Sequence, residues 1–198
     1  MHALVVQSEI YAIVLYITLS ICYLPEWIGS YFQRPEKGAV KRDRGSHIFL
    51  WVSMLVGIFV AFFCVNLVPP VGTIVWHQHL VFWIGIVLML AGVMFRWYAI
   101  RVLGKYFTRD VATRAGQQVV ESGPYRYIRH PSYSGALITV FGLGLALTNW
   151  LSLIAVLLGA FIGYGYRVHV EEQVLCEDLG PAYRDYMGRT HQFIPFVW

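Results

Sequence analysis

The chain has 198 residues, of which 13% are charged, about half the roughly 25% of an ordinary soluble domain, and its mean hydropathy is +0.57. These values, with 58% hydrophobic residues, exclude a soluble globular enzyme and point to a polytopic membrane protein. The net charge of +4 reflects membrane topology and attraction to anionic headgroups, so nucleic acid is not an expected partner.

The first apolar segment, residues 10–31, has no Lys or Arg before it and so lacks the basic region of a cleaved signal peptide. It is read as a permanent span. Residues 45–95 contain no Asp, Glu, Lys or Arg, a run far longer than the ~20 residues of one crossing. They are expected to cross twice, over 45–68 and 80–100, with Pro69-Pro70 near the turn. Two further spans follow at 132–148 and 151–166, joined by a hairpin at Asn149-Trp150. The fold expected is therefore all-α, with about five transmembrane helices.

Small residues four apart occur in both of the last two spans, Gly142 with Ala146 and Gly159 with Gly163. Ordinary helix packing explains them better than a dimer interface. The fifth helix is expected to run past the membrane, because an amphipathic pattern continues through Glu171, Glu172, Leu175 and Leu179 until Gly180-Pro181 stops it.

Basic residues fix the expected orientation, since Lys and Arg are retained on the cytoplasmic side. Residues 32–46 hold Arg34, Lys37, Lys41, Arg42 and Arg44, and 101–129 hold six more, whereas the N-terminus, the 68–79 loop and the Asn149 turn hold none. The N-terminus is expected outside and the C-terminus in the cytoplasm. The loop 101–131 and the C-terminal tail then share a side and are expected to make one site. The chain divides accordingly into three N-terminal membrane helices (1–100) and a catalytic region (101–198).

Metal chemistry is not expected. The three cysteines show no CxxC spacing, and His77 and His79 sit beside Trp76 in an external loop without Asp, Glu or Cys, as interfacial histidines do. Gly142-Leu-Gly144 lies within a span and lacks the third glycine of a dinucleotide-binding turn.

The polar chemistry concentrates at 121–135, ESGPYRYIRHPSYSG. Pro131 suits the first turn of a helix, where its missing N–H costs nothing. The N–H groups of Ser132 and Tyr133 would then face an anion at the positive end of the helix dipole. Ser122-Gly123-Pro124 reads as a turn that brings 117–120 close to that helix end. Arg126 and Tyr127 read as interfacial anchors.

RHPSYSG (129–135) resembles the RHPxYxG signature of the isoprenylcysteine carboxyl methyltransferase family. The likeness continues in hydrophobic-x-SG-x-Y from Val120 to Tyr125, in Arg167-x-x-x-Glu171-Glu172, in Gly180-x-x-Tyr183 and in the closing Phe193-Ile194-Pro195-Phe196, and covers about residues 100–198. The resemblance implies S-adenosyl-L-methionine as methyl donor, with S-adenosyl-L-homocysteine as product, a lipidic small-molecule carboxylate such as a prenylated cysteine as acceptor, and membrane lipid as a further partner. It implies cofactor contacts at Gln117, Gln118, Val119, Val120, Tyr125, His130, Pro131, Ser132 and Tyr133, and an acceptor role for Arg167 and Glu171. Independently, a sulfonium cation and a carboxylate suit a site that offers aromatic faces beside a helix N-terminus.

Two other enzymes share part of this pattern. A phospholipid N-methyltransferase would need Glu171 or Glu172 as a base. An NADPH-dependent membrane sterol reductase carries a related RHxNYxG-acidic signature, but Ser132 and Ala136 stand here where its Asn and acidic residue would be. A non-enzymatic scaffold leaves the order of motifs after Val120 unexplained.

Overall fold

A computed structural model describes residues 3–32, 42–67, 72–107 and 117–193. Pro69-Pro70, the basic residues Arg34, Lys37, Lys41, Arg109 and Arg114, and 194–196 of the closing motif lie outside the described residues. The described residues are mostly helical: a one-turn α1 (Leu4–Gln7), then α2 (Glu9–Phe32), α3 (Ser46–Leu67), α4 (Gln78–Leu103), α5 (Pro131–Ala146), α6 (Trp150–Leu179) and α7 (Pro181–Met187). Each of the five expected spans is a helix, with ends displaced by three residues or fewer except where α6 runs on.

Length separates them. Helices α3, α4 and α6 are long and apolar enough to cross a membrane, whereas the apolar parts of α2 and α5 are shorter, Glu9–Pro25 and Pro131–Ala146. At 1.5 Å per residue, α5 is about 24 Å long against ~30 Å of hydrocarbon. Hydrophobicity alone does not order this bundle, because lipid-facing side chains such as Phe59, 72% exposed, are as apolar as the core. Backbone proximity does. On α4, Gly85 and Gly92 lie two turns apart and face Gly142 and Gly135 of the antiparallel α5. A Cβ at Gly92 would stand 2.6 Å from the Thr139 amide nitrogen, and one at Gly142 2.6 Å from the Gly85 carbonyl. Helix α3 packs on α6 by the same means, with Gly57 against Ala155 and Gly159 against Ser53. The small residues of α5 and α6 thus serve packing within the chain, chiefly on α4 and α3 respectively.

The turn between α5 and α6 is sealed by hydrogen bonds. Asn149 caps α6 by accepting from the Ser152 amide at 3.1 Å, the Trp150 amide donates to Gly72 O at 2.7 Å, and Ile74 donates to Thr148 O at 2.9 Å. At the opposite end α6 stops as expected, with Gly180 at φ +60° and Pro181 opening α7. Its 30 residues reach about 45 Å, so its last turns stand clear of the span and form a wall for the loop that enters α5.

Candidate functional site

Helix α5 begins at Pro131, which occupies the first helical position and is buried behind the site. His130 precedes it, and its carbonyl accepts from the amides of Tyr133 at 3.0 Å and Ser134 at 3.1 Å. The Tyr133 N–H is therefore satisfied within the first turn, which corrects its expected place among the anion-facing donors. Upstream, Gly123 at φ +57° opens a short 3-10 turn, Gly123–Arg126, which carries Tyr125 inward to 6% exposure.

The C-terminal segment closes this corner. Arg129 N donates to His191 O at 2.7 Å, His130 N to Gln192 O at 3.1 Å and His191 N to Tyr127 O at 3.0 Å, a short parallel bridge. Glu172 of α6 lies behind it. Its carboxylate accepts from Arg129 Nε at 2.7 Å and Gln192 Nε2 at 3.0 Å, and lies 3.2 Å from His130 Nε2. Arg129 also donates to the carbonyls of Met187 and Thr190. Outside, Arg189 grips Glu121 with two bonds of 3.0 and 3.1 Å. The loop and tail expected to share a side do meet.

Between them opens a concave, solvent-connected cavity. Gln117, Gln118, Val119, Val120, Tyr125, His130, Ser132 and Tyr133 all line it, so eight of the nine sequence-derived contacts converge; Pro131 does not line it. Tyr106, Phe107, Tyr183 and Tyr186 add aromatic walls, and Glu171 and Arg129 add charge of both signs. Burial pushes the phenols of Tyr125, Tyr183 and Tyr186 well above the usual tyrosine range, which keeps them neutral donors. Tyr186 uses its hydroxyl to hold Tyr125 O at 2.6 Å.

A second cavity lies among α2 to α6. Its walls are mainly apolar, with Leu50, Trp51, Met54, Val93 and Val140, but Arg96, His47 and Arg167 place polar groups on them. Phe107 and Tyr133 line both cavities. Tyr133 stacks on His130 with ring centroids 5.5 Å apart, and its hydroxyl donates to Glu171 Oε2 at 2.7 Å while accepting from Arg167 Nε at 3.4 Å. Arg167 and Glu171, four apart on α6, thus meet through Tyr133, Glu171 lining the first cavity and Arg167 the second. Arg167 is 3% exposed and also donates to Ser46 Oγ at 2.8 Å and to Asp43.

Asp43, Ser46 and Arg96 are the members that sequence reasoning missed. Arg42 and Arg44 count there only as topological charge, and Asp43 between them carries no pattern; Arg96, at the end of the uncharged run, holds Ser132 O at 3.0 Å. Among the described residues no group of three His, Cys, Asp or Glu side chains could hold a metal. His79 pairs with the Tyr11 hydroxyl at 2.6 Å.

Comparison with known proteins gives one consistent result. The sequence model of the isoprenylcysteine carboxyl methyltransferase (ICMT) family matches residues 83–177. A probable protein-S-isoprenylcysteine O-methyltransferase of Oryza sativa subsp. indica is 32% identical over 117 residues, 58% of this chain and 61% of that protein. Protein-S-isoprenylcysteine O-methyltransferase B of Arabidopsis thaliana is 34% identical over 125 residues, 61% of this chain and 62% of that protein. The Saccharomyces cerevisiae protein-S-isoprenylcysteine O-methyltransferase is 31% identical over 116 residues, 58% of this chain and 48% of that protein. The chain thus spans about half to three fifths of the length of these relatives.

Proposed function

We propose, from the premise that residues 83–177 belong to the isoprenylcysteine carboxyl methyltransferase family, that this membrane protein transfers a methyl group to the carboxylate of a prenylated cysteine or a similar small lipidic acid. The observation that carries the reading is a pair of cavities that share Tyr133 as a wall, one polar and aromatic beside the far end of α6, the other mainly apolar and among the helices.

The first cavity fits S-adenosyl-L-methionine by its chemistry. It offers a carboxylate and aromatic faces to a sulfonium, the Ser132 end of α5 and Arg129 to a carboxylate, and neutral phenols to a sugar and base. Residues 117–120, Tyr125, His130, Ser132 and Tyr133 would hold it, and Pro131 would set the helix entry. When bound, the cofactor supplies an electrophilic methyl group and leaves as S-adenosyl-L-homocysteine.

The chain's own part is positioning. A carboxylate is ionised at neutral pH, so no general base is needed. Arg167 orients the acceptor carboxylate from the second cavity, Tyr133 fixes the Arg167 and Glu171 side chains across the boundary, and the apolar walls exclude water. Basic-residue asymmetry supports a cytoplasmic position for the first cavity, with the N-terminus outside. Binding titrations with S-adenosyl-L-homocysteine and NADPH, followed by methyl transfer to a prenylcysteine analogue and to phosphatidylethanolamine, test the reading. Preference for NADPH, or for the amine lipid, would overturn it in favour of a reductase or of an N-methyltransferase with Glu171 as base.

A further inference from the structure

Asp43 lies outside the matched region 83–177, belongs to no motif read from the sequence and is 3% exposed. Its carboxylate is held from three sides. Oδ1 accepts from Ser46 Oγ at 2.8 Å and from Arg167 Nη1, and Oδ2 accepts from the His47 amide at 3.1 Å. Ser46 Oγ in turn accepts from Arg167 Nη1 at 2.8 Å. The entry to α3 therefore fixes one edge of the Arg167 guanidinium, while Nε points to the Tyr133 hydroxyl between the cavities.

An arginine at the end of a span otherwise snorkels toward headgroups, where its long stem leaves the fork mobile. Here a buried carboxylate turns the fork inward instead. We infer that Asp43 is a positioning residue for methyl transfer, acting through Arg167, and that the N-terminal helices are thereby part of the catalytic unit. The inference rests on the carboxyl methyltransferase reading. It also has an electrostatic consequence that mere scaffolding does not share. An acceptor carboxylate must share Arg167 with Asp43, so the negative charge at Asp43 weakens acceptor binding while the fixed geometry speeds transfer. The two effects separate in the kinetics.

Asp43→Asn keeps the shape and removes the charge. With a prenylcysteine analogue, kcat is expected to fall about tenfold or more, because small misplacements of a positioning group are costly. The acceptor KM is expected to stay level or fall, and the affinity for S-adenosyl-L-homocysteine to stay within about twofold, less than 0.5 kcal/mol. Ser46→Ala should show a smaller drop of the same kind. If Asp43→Asn does not fold, Ser46→Ala decides: a lower kcat without a higher KM supports the inference, and an unchanged kcat overturns it. An unchanged kcat in Asp43→Asn, or a fall in kcat that tracks lost S-adenosyl-L-homocysteine affinity, overturns it also and leaves the functional reading intact. A wild-type protein inactive toward the analogue would overturn that reading first, and this inference with it.

Discussion

Arg167 is the residue at which charge, burial and the proposed acceptor chemistry coincide, and its geometry separates two behaviours. Lys keeps the charge but lacks the planar fork that spans Asp43, Ser46 and the Tyr133 hydroxyl. Arg167→Lys is therefore expected to lose most methyl transfer while binding S-adenosyl-L-homocysteine nearly as well as wild type; near-normal turnover, measured beside that affinity, would remove Arg167 from the mechanism. His130 carries a different load. Its ring both lines the first cavity and reaches Glu172, so His130→Ala should weaken S-adenosyl-L-homocysteine binding by about tenfold, roughly 1.4 kcal/mol, with some loss of stability. Asp43 adds an acid dependence. Burial raises its carboxyl, but the His47 amide, the Ser46 hydroxyl and the Arg167 guanidinium outweigh burial and hold it below the usual carboxylate range. A depressed folded value means that the stability is fully present above the ordinary pKa of about 3.9 and is lost as pH falls through the folded value. Unfolding midpoints in detergent below about pH 4 should thus fall less steeply on acidification in Asp43→Asn than in wild type.

Among the helices, α5 is short and held by its neighbours more than by lipid. Its two glycine contacts with α4 leave no room for a methyl group: a Cβ at Gly135 would stand 2.7 Å from the Gly92 carbonyl. Gly135→Ala is expected to cost on the order of 1–3 kcal/mol, because close-packed interiors resist added volume. Gly165→Ala on α6 has open space around it and should be neutral or better, since alanine is the stronger helix former. Thermal unfolding of both variants in the same detergent makes the comparison, and equal loss in the two would discard the packing account. The glycine spacing of these helices is legible from sequence, but the partner of each is not, because α5 could meet α6 across the hairpin as readily as α4.

Over the whole molecule, the polar chemistry lies at one end, where the loop into α5, the last turns of α6 and α7 converge. The three cysteines sample its layers: Cys22 is buried, Cys64 lies within α3 and Cys176 lies near the end of α6, with Sγ 3.5 Å from Met187 Sδ. A membrane-impermeant thiol reagent is expected to reach Cys176 from the cytoplasmic side alone, and to leave Cys22 and Cys64 unmodified. Labelling of Cys176 from outside would invert the proposed orientation and carry the first cavity to the other face.

Helix identity and extent were set by the sequence alone, since they follow from local quantities: apolar length, the uncharged run 45–95, and punctuation such as Gly180-Pro181 and Asn149. The first cavity was legible through a string of motifs in residues 117–135, because that segment is nearly contiguous and folds back on a single helix start. The second half of the site was not. Asp43 meets Arg167 across 124 residues, and Arg129 finds Glu172 across 43, through the packing of α3 on α6 and of α5 beside it. In lipid, where every helix face is apolar, such pairings depend on which small residues allow two backbones to touch. Hydropathy carries no record of that choice, and so only the tertiary structure could bring Asp43 to Arg167.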